Sequence, residues 1–164
     1  MELDPATLSH LGDEKEAMDF PSVAWFERLA EIMAARETDF RELGEIDCAM
    51  VVKVDAEGGG SKLVEVVFEA FAVKSIRELK SLDEARPEHF VLEAPAGVWR
   101  EMLENIRDNG APDLEHTLNY LTFPDVPMAV SGPDQLETDI FYRYNQTLQR
   151  FFNGAAGLAT DFGA

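Results

Sequence analysis

The sequence predicts an α+β domain in which helices cover one face of a single sheet. Alternation of apolar and polar residues, typical of half-buried strands, runs from Ile46 to Val54 and again from Leu63 to Val73. Apolar stripes at three-to-four-residue spacing, typical of amphipathic helices, follow around Trp99 and from Ile140 to Phe152. Successive strands followed by helices indicate a layered α+β arrangement.

The first helix is predicted to begin at Pro21-Ser22, since proline suits a first helical turn and serine caps it. Thr38-Asp39 is predicted to cap a short continuation that ends near Gly44. The glycine-rich segment from Glu57 to Ser61 predicts a hairpin turn between the two alternating runs. It lacks the lysine and hydroxyl residue that a phosphate-binding loop requires in that frame. The buried face of the first helix is predicted to contain Trp25, Phe26, Leu29, Ile32 and Met33.

The second half of the chain predicts a strand, two helices, an edge strand and a long helix. Before them, Ser75–Leu82 fits either a helical stripe or a third strand. Pro124 and Pro127 bracket the start of the strand at Val126–Val130. They place this strand at a sheet edge, because proline has no amide hydrogen to donate to the hydrogen bonds between strands. In chain order the elements are a strand at Glu88–Glu93, a helix through Trp99 ending at Asn109-Gly110, a short helix from Pro112-Asp113, a strand at Val126–Val130 and a helix from Asp134 to Asn153.

Composition limits the partners and the compartment. A chain of 164 residues with 46% hydrophobic content is the size of one domain with a core. Its formal net charge of -18 disfavours nucleic acid and anionic membrane surfaces. No apolar run approaches the roughly 20 residues of a membrane span, and the acidic start lacks a signal-peptide layout, so a cytoplasmic protein without stable membrane insertion is expected. Cys48, the single cysteine, excludes an internal disulfide and is expected to be a buried thiol.

Three segments are predicted: a loose amino-terminal arm over 1–20, one domain over 21–154 and a tail over 155–164. No catalytic cluster is apparent. Asp113, Glu115 and His116 are a weak indication of a metal site, but zinc needs three or four convergent ligands and no second cluster has the required spacing. No serine has a histidine partner or a nucleophile-elbow motif. We therefore expect no enzymatic activity, no cofactor and no metal.

The order of elements resembles the sterol carrier protein two (non-specific lipid-transfer) family. The parts that carry this resemblance are the helix Val23–Met33, the paired strands Ile46–Val54 and Leu63–Val73, the strand-into-helix unit Phe90–Leu103 with its tryptophan, and Met128–Val130 before the closing helix. The resemblance implies a mostly antiparallel five-stranded sheet covered by helices. It also implies a hydrophobic cavity that takes fatty acyl chains, sterols or similar lipids. The Trp99 helix continues to Arg107 and the segment Pro112–Pro127 is long, which are two departures from the family pattern.

The predicted function is therefore binding and carriage of an apolar small molecule. Aromatic and methionine side chains suit adaptable pockets, although stripes at helical spacing more often form a filled core. The candidate lipid-binding residues are Phe68, Trp99, Met102, Leu103, Ile106, Phe141, Tyr144 and Leu148.

Two alternatives remain open. In the first, the domain is an oligomerisation or accessory module for a lipid- or steroid-metabolising enzyme, with a homodimer covering its apolar face. In the second, it is an isomerase or hydratase of the nuclear transport factor two-like kind. Such enzymes need a buried acid or histidine at the end of the pocket, and Asp47 or His116 would be the residues.

Overall fold

A computed structural model describes residues 17–123 and 126–162. Its strands are β1 (Met18–Asp19), β2 (Cys48–Asp55), β3 (Ser61–Glu69), β4 (Ala72–Leu79), β5 (Phe90–Pro95), β6 (Ala129–Ser131) and β7 (Thr160–Asp161). Five of them form the central sheet in the order β4-β3-β2-β5-β6. Every neighbouring pair is antiparallel except β2 and β5, which run parallel with Val52 beside Leu92. The predicted α+β class and the mostly antiparallel five-stranded sheet are confirmed.

The helices are α1 (Val23–Ala35), α2 (Glu37–Leu43), α3 (Ala96–Asn109), α4 (Leu118–Leu121) and α5 (Gln135–Asn153), with 3-10 turns at Leu82–Glu84, Leu114–His116 and Gly154–Gly157. Two predicted caps are present: the Ser22 side chain accepts from the Trp25 amide, and Asp134 accepts from the Glu137 amide. The predicted cap at Thr38-Asp39 is wrong, because α2 begins at Glu37 without a side-chain cap. Within the described ranges, no helix is long and apolar enough to span a bilayer.

The run predicted as one strand from Leu63 to Val73 is two strands joined by a tight turn. Ala70 adopts a left-handed backbone with φ of 59°, which non-glycine residues seldom do. Its carbonyl accepts a hydrogen bond of 2.8 Å from the Ile46 amide, which fixes the turn against the start of β2. The ambiguous segment Ser75–Leu82 accordingly divides into the second half of β4 and the start of a 3-10 turn.

Both faces of the sheet are protected. The helical face carries the main core, which includes both tryptophans and most of the phenylalanines. The opposite face carries a small cluster of Val51, Leu63, Leu79 and Val91, with Ala85 of the β4–β5 connection packed against it. This connection explains why Glu65 is only 1% exposed, although the alternating pattern predicts that it faces away from the core.

The two ends of the described chain meet. β1 and β7 pair in parallel, with Met18 beside Thr160. Phe20, within the segment expected to be a loose arm, is buried in the main core, as are Ala155 and Leu158 of the expected tail. Residues 1–16 of the predicted arm lie outside the described residues, and the division of the chain at residues 20 and 154 stays a prediction.

Candidate functional site

The structure brings the predicted lipid-binding residues together. Seven of the eight are buried side chains of one continuous apolar cluster, and the eighth, Tyr144, is half-buried and packs against it. Leu103 and Ile106 reach the cluster from α3, Phe141 and Leu148 from α5, and Phe68 from the sheet. The shared stripe spacing therefore predicts their common location, while their contact with a ligand stays a prediction.

Aromatic rings occupy much of the space between these elements. Phe68 lies 5.1 Å from Phe151, Phe151 lies 5.5 Å from Phe152, and Phe152 lies 5.8 Å from Trp99, measured between ring centroids. The Trp99 indole nitrogen donates a 3.2 Å hydrogen bond to the Lys53 carbonyl, which satisfies its one polar atom inside the core. These contacts form a continuous path of rings through the domain interior.

An open groove adjoins this core between α3 and the carboxyl-terminal segment. Its volume is about 180 Å³. Of the eight predicted lipid-binding residues, Leu103 lies in its apolar wall. We call it the C-terminal groove, lined by Leu103, Glu104, Arg107, Ala155, Leu158, Ala159, Thr160 and Phe162. A more open depression of about 330 Å³ continues from it along Arg100 and Asp161.

The carboxyl-terminal segment that lines the groove is joined to β1 and α1 by hydrogen bonds. The Met18 and Phe20 amides donate to carbonyls of this segment at 3.0 and 2.9 Å. The Trp25 indole nitrogen donates to the Thr160 hydroxyl at 2.9 Å. The Arg100 guanidinium lies 5.4 Å from the centroid of the Phe162 ring, a cation–π distance. These contacts hold one wall of the C-terminal groove against β1, α1 and α3.

A second, more polar cavity of about 340 Å³ lies where β2 begins and β3 ends, beside the first turns of α5. Four apolar side chains and one thiol share its wall with four carboxylates and two cationic residues. We call it the sheet-end cavity, lined by Asp47, Cys48, Ala49, Val67, Phe68, Glu69, Lys74, Arg86, Glu88, Glu137 and Ile140. Phe68 is the predicted lipid-binding residue on this wall.

Glu137 is the residue of this cavity that the sequence analysis missed. Its side chain lies on α5 and the residue is 8% exposed, and its carboxylate has no hydrogen bond or ion pair within the described part of the chain. Burial, followed by the charges of Asp134 and Glu88, raises the pKa of this carboxyl group, while His89 acts in the opposite direction. The signal was available, because Glu137 precedes Phe141 by four residues and therefore lies on the same buried stripe.

Cys48 lies half-buried at the rim of the sheet-end cavity. Burial, then the charges of Asp47 and Glu137, raises the pKa of its thiol to about 12. We expect iodoacetamide at pH 8 to alkylate native Cys48 about a hundredfold or more slowly than the unfolded chain, because the thiolate is the reactive species. Mass spectrometry of the native and the urea-unfolded protein measures both rates. Equal rates would contradict the raised pKa.

Asp47 and His116, the residues considered for an isomerase site, do not lie buried at the end of a pocket as that activity requires. The His116 ring nitrogen Nδ1 lies 2.6 Å from a carboxylate oxygen of Asp113, and this hydrogen bond is the main cause that lowers the pKa of Asp113. Asp47 is exposed at the edge of the sheet-end cavity. Neither is a buried, unpartnered group. Among residues 17–123 and 126–162, no three histidine, cysteine, aspartate or glutamate side chains converge as metal ligands.

Comparison with known proteins supports the fold. No protein-family model matches the chain, and no curated protein matches it. Among solved structures, the crystal structure of sterol carrier protein 2 is similar, with a TM-score of 0.60 and 16% identity over 84% of this chain and 98% of that one. The solution structure of a conserved hypothetical protein of Thermus thermophilus, a candidate sterol carrier protein, has a TM-score of 0.60 and 14% identity over 90% and 94% of the two chains. At these identities the likeness establishes the fold alone, which is that of sterol carrier protein 2.

Proposed function

We propose that this protein binds and carries an apolar small molecule, such as a fatty acyl chain or a sterol, and that the molecule enters at the C-terminal groove. The observation that carries the proposal is the position of Leu103. It joins the buried apolar cluster and also lines an open groove whose wall continues through Ala155, Leu158 and Phe162. The likeness to sterol carrier protein 2 supports the same function.

The groove must widen to accept such a ligand. Its volume of about 180 Å³ is below the roughly 300–1,000 Å³ of typical small-molecule pockets. Micromolar affinity corresponds to about 8 kcal/mol, which requires roughly 330 Å² of apolar burial at about 25 cal/mol per Å². In the proposed complex the carboxyl-terminal segment that lines the groove moves outward, and the ligand reaches the rings behind Leu103 on α3.

A steric block of the groove tests the proposal. Ala159 is exposed and lines the groove, whereas Ala156, three positions earlier, is exposed and does not line it. We expect Ala159→Trp to weaken binding of a fluorescent fatty acid at least tenfold, because the indole would occupy the ligand's space. Ala156→Trp, the matched control, should bind like the wild type. Displacement titrations at micromolar concentration measure the Kd of all three proteins.

Failure of the wild-type protein to bind any apolar probe at micromolar concentration would contradict the proposed function. Equal affinity of Ala159→Trp and Ala156→Trp would instead contradict the groove as the entry. Thermal unfolding of both variants establishes that each is folded before its affinity is interpreted.

Exposed apolar side chains support a second candidate function, that of an oligomerisation module. Leu114 and Leu136 are 84% and 63% exposed, and the Tyr120 and Phe123 rings, also exposed, lie 5.8 Å apart. The Tyr120–Phe123 pair is the part of this surface that forms a contiguous apolar patch, the feature that favours association with a partner or a second copy. Light scattering distinguishes the two candidates: the carrier is a monomer that binds lipid, and the module is a stable dimer that does not.

A further inference from the structure

The sheet-end cavity contains a buried carboxylate without a partner. Glu137 is more than nine-tenths buried and lines the cavity, and no cation of the described chain lies within ion-pair distance of it. Cys48 lines the same cavity. The Glu137 carboxylate lies in the first turn of α5 and has no ion pair among the described residues, so a bound cation would compensate its charge.

The other charges around Glu137 leave the cavity negative. Asp47, Glu69 and Glu88 add three carboxylates, and the described lining contributes two cationic side chains, those of Lys74 and Arg86. The Lys74 ammonium lies 4.0 Å from a carboxylate oxygen of Glu69. The positive charge of Lys74 is therefore partly compensated by Glu69. A cationic ligand would therefore enter a favourable electrostatic potential, and an anionic ligand would not.

We propose that the sheet-end cavity binds a small organic cation, a primary ammonium on a short apolar chain, with the ammonium paired to the Glu137 carboxylate. This site lies apart from the C-terminal groove, and the inference goes beyond the proposed function. The cavity volume of about 340 Å³ falls within the range of small-molecule pockets. Ala49, Val67, Phe68 and Ile140 provide an apolar wall for the chain.

The geometry favours an ammonium over a bare metal ion. A divalent cation needs several convergent oxygen ligands, and in the described part of the chain no such group of side chains converges. A single ammonium needs one buried carboxylate and a wall for its alkyl chain. Both are present at this site.

The pH dependence of binding follows from the groups that face Glu137. Burial, Asp134 and Glu88 favour its protonated form, His89 opposes them, and Cys48, whose thiol is protonated at neutral pH, adds no charge. Because the ammonium pairs with the ionised carboxylate, affinity should fall as the pH decreases through the raised pKa of Glu137. The amine itself keeps its charge throughout this range.

Titration of the full chain with n-butylammonium tests the site, with n-butanol and butyrate as matched probes of equal chain length. Two-dimensional NMR at pH 7.5 should show a Kd of about 1 mM for the amine, with shifts at the amides of Cys48 and Ile140. Butanol and butyrate should bind at least tenfold more weakly. Glu137→Gln should weaken amine binding at least tenfold, and Glu27→Gln, which removes an exposed carboxylate on α1, should leave it unchanged.

Several results would overturn the inference: equal binding of butanol and butylammonium, unchanged affinity in Glu137→Gln, or no amine binding at 20 mM. Should Glu137→Gln fail to fold, the wild-type titration at pH 4.5 and pH 7.5 still decides, because equal affinity at the two pH values excludes the Glu137 pair. Failure of this site leaves fatty-acid binding at the C-terminal groove unaffected, so the two proposals are tested separately.

Discussion

Replacement of Trp99 by alanine is expected to lower the free energy of unfolding by about 4 kcal/mol, the largest effect predicted for a single core residue. The Trp99 indole is fully buried and lies 6.0 Å from the Phe20 ring and 5.8 Å from the Phe152 ring. Its removal leaves a large void and also deprives the Lys53 carbonyl of its hydrogen bond from the indole. Urea denaturation followed by circular dichroism measures the change.

This experiment also separates a core role from a ligand-lining role. Trp99→Phe keeps most of the volume and should cost about half as much. A loss below about 1 kcal/mol for Trp99→Ala would contradict the packed interior, because truncation of a side chain that borders a ligand-sized cavity creates little new void. In that case the lining role predicted for Trp99 would gain support.

Replacement of Glu65 by alanine is expected to lower the free energy of unfolding by about 3 kcal/mol. One oxygen of this buried carboxylate accepts from Arg77 Nε at 2.7 Å, and the other accepts from the Arg86 amide at 2.8 Å. The alanine variant leaves the Arg86 amide without its acceptor. It also removes the hydrogen bond that joins the β4–β5 connection to β3.

Glu69→Ala provides the matched control for Glu65→Ala, because it removes an exposed carboxylate from the same strand and should change stability by less than about 0.5 kcal/mol. Urea denaturation at pH 7 gives both values. Equal effects of the two substitutions would show that the hydrogen bonds of Glu65 contribute nothing beyond surface charge.

Much of the fold could be predicted from local patterns. Period-two alternation identified β2, proline and serine identified the start of α1, and Asp134 identified the start of α5, because each pattern reflects a short-range constraint. The turn at Ala70 could not be predicted, since the residue that adopts the left-handed backbone is alanine rather than glycine or asparagine. The parallel pairing of β2 with β5 depends on the tertiary structure, and alternation within one strand does not predict it.

The candidate site could be predicted less completely. A helical stripe shows which side chains face the core together, and it correctly grouped Trp99, Met102 and Phe141. Whether such a group encloses space depends on rings supplied by distant segments, such as Phe20 and Phe152, and no local pattern encodes that packing. Glu137 was missed because an acidic residue in the first turn of a helix usually lies at the surface, where it interacts with the helix dipole.

The hydrogen bond between Trp25 and Thr160 joins residues 135 positions apart. Closing so long a loop is entropically costly, so hairpins such as β2–β3 are expected to form well before it. We therefore expect the groove beside Thr160 to form late in folding, and mild destabilisation to open it first. Opening of the groove is therefore expected to coincide with the first step of unfolding.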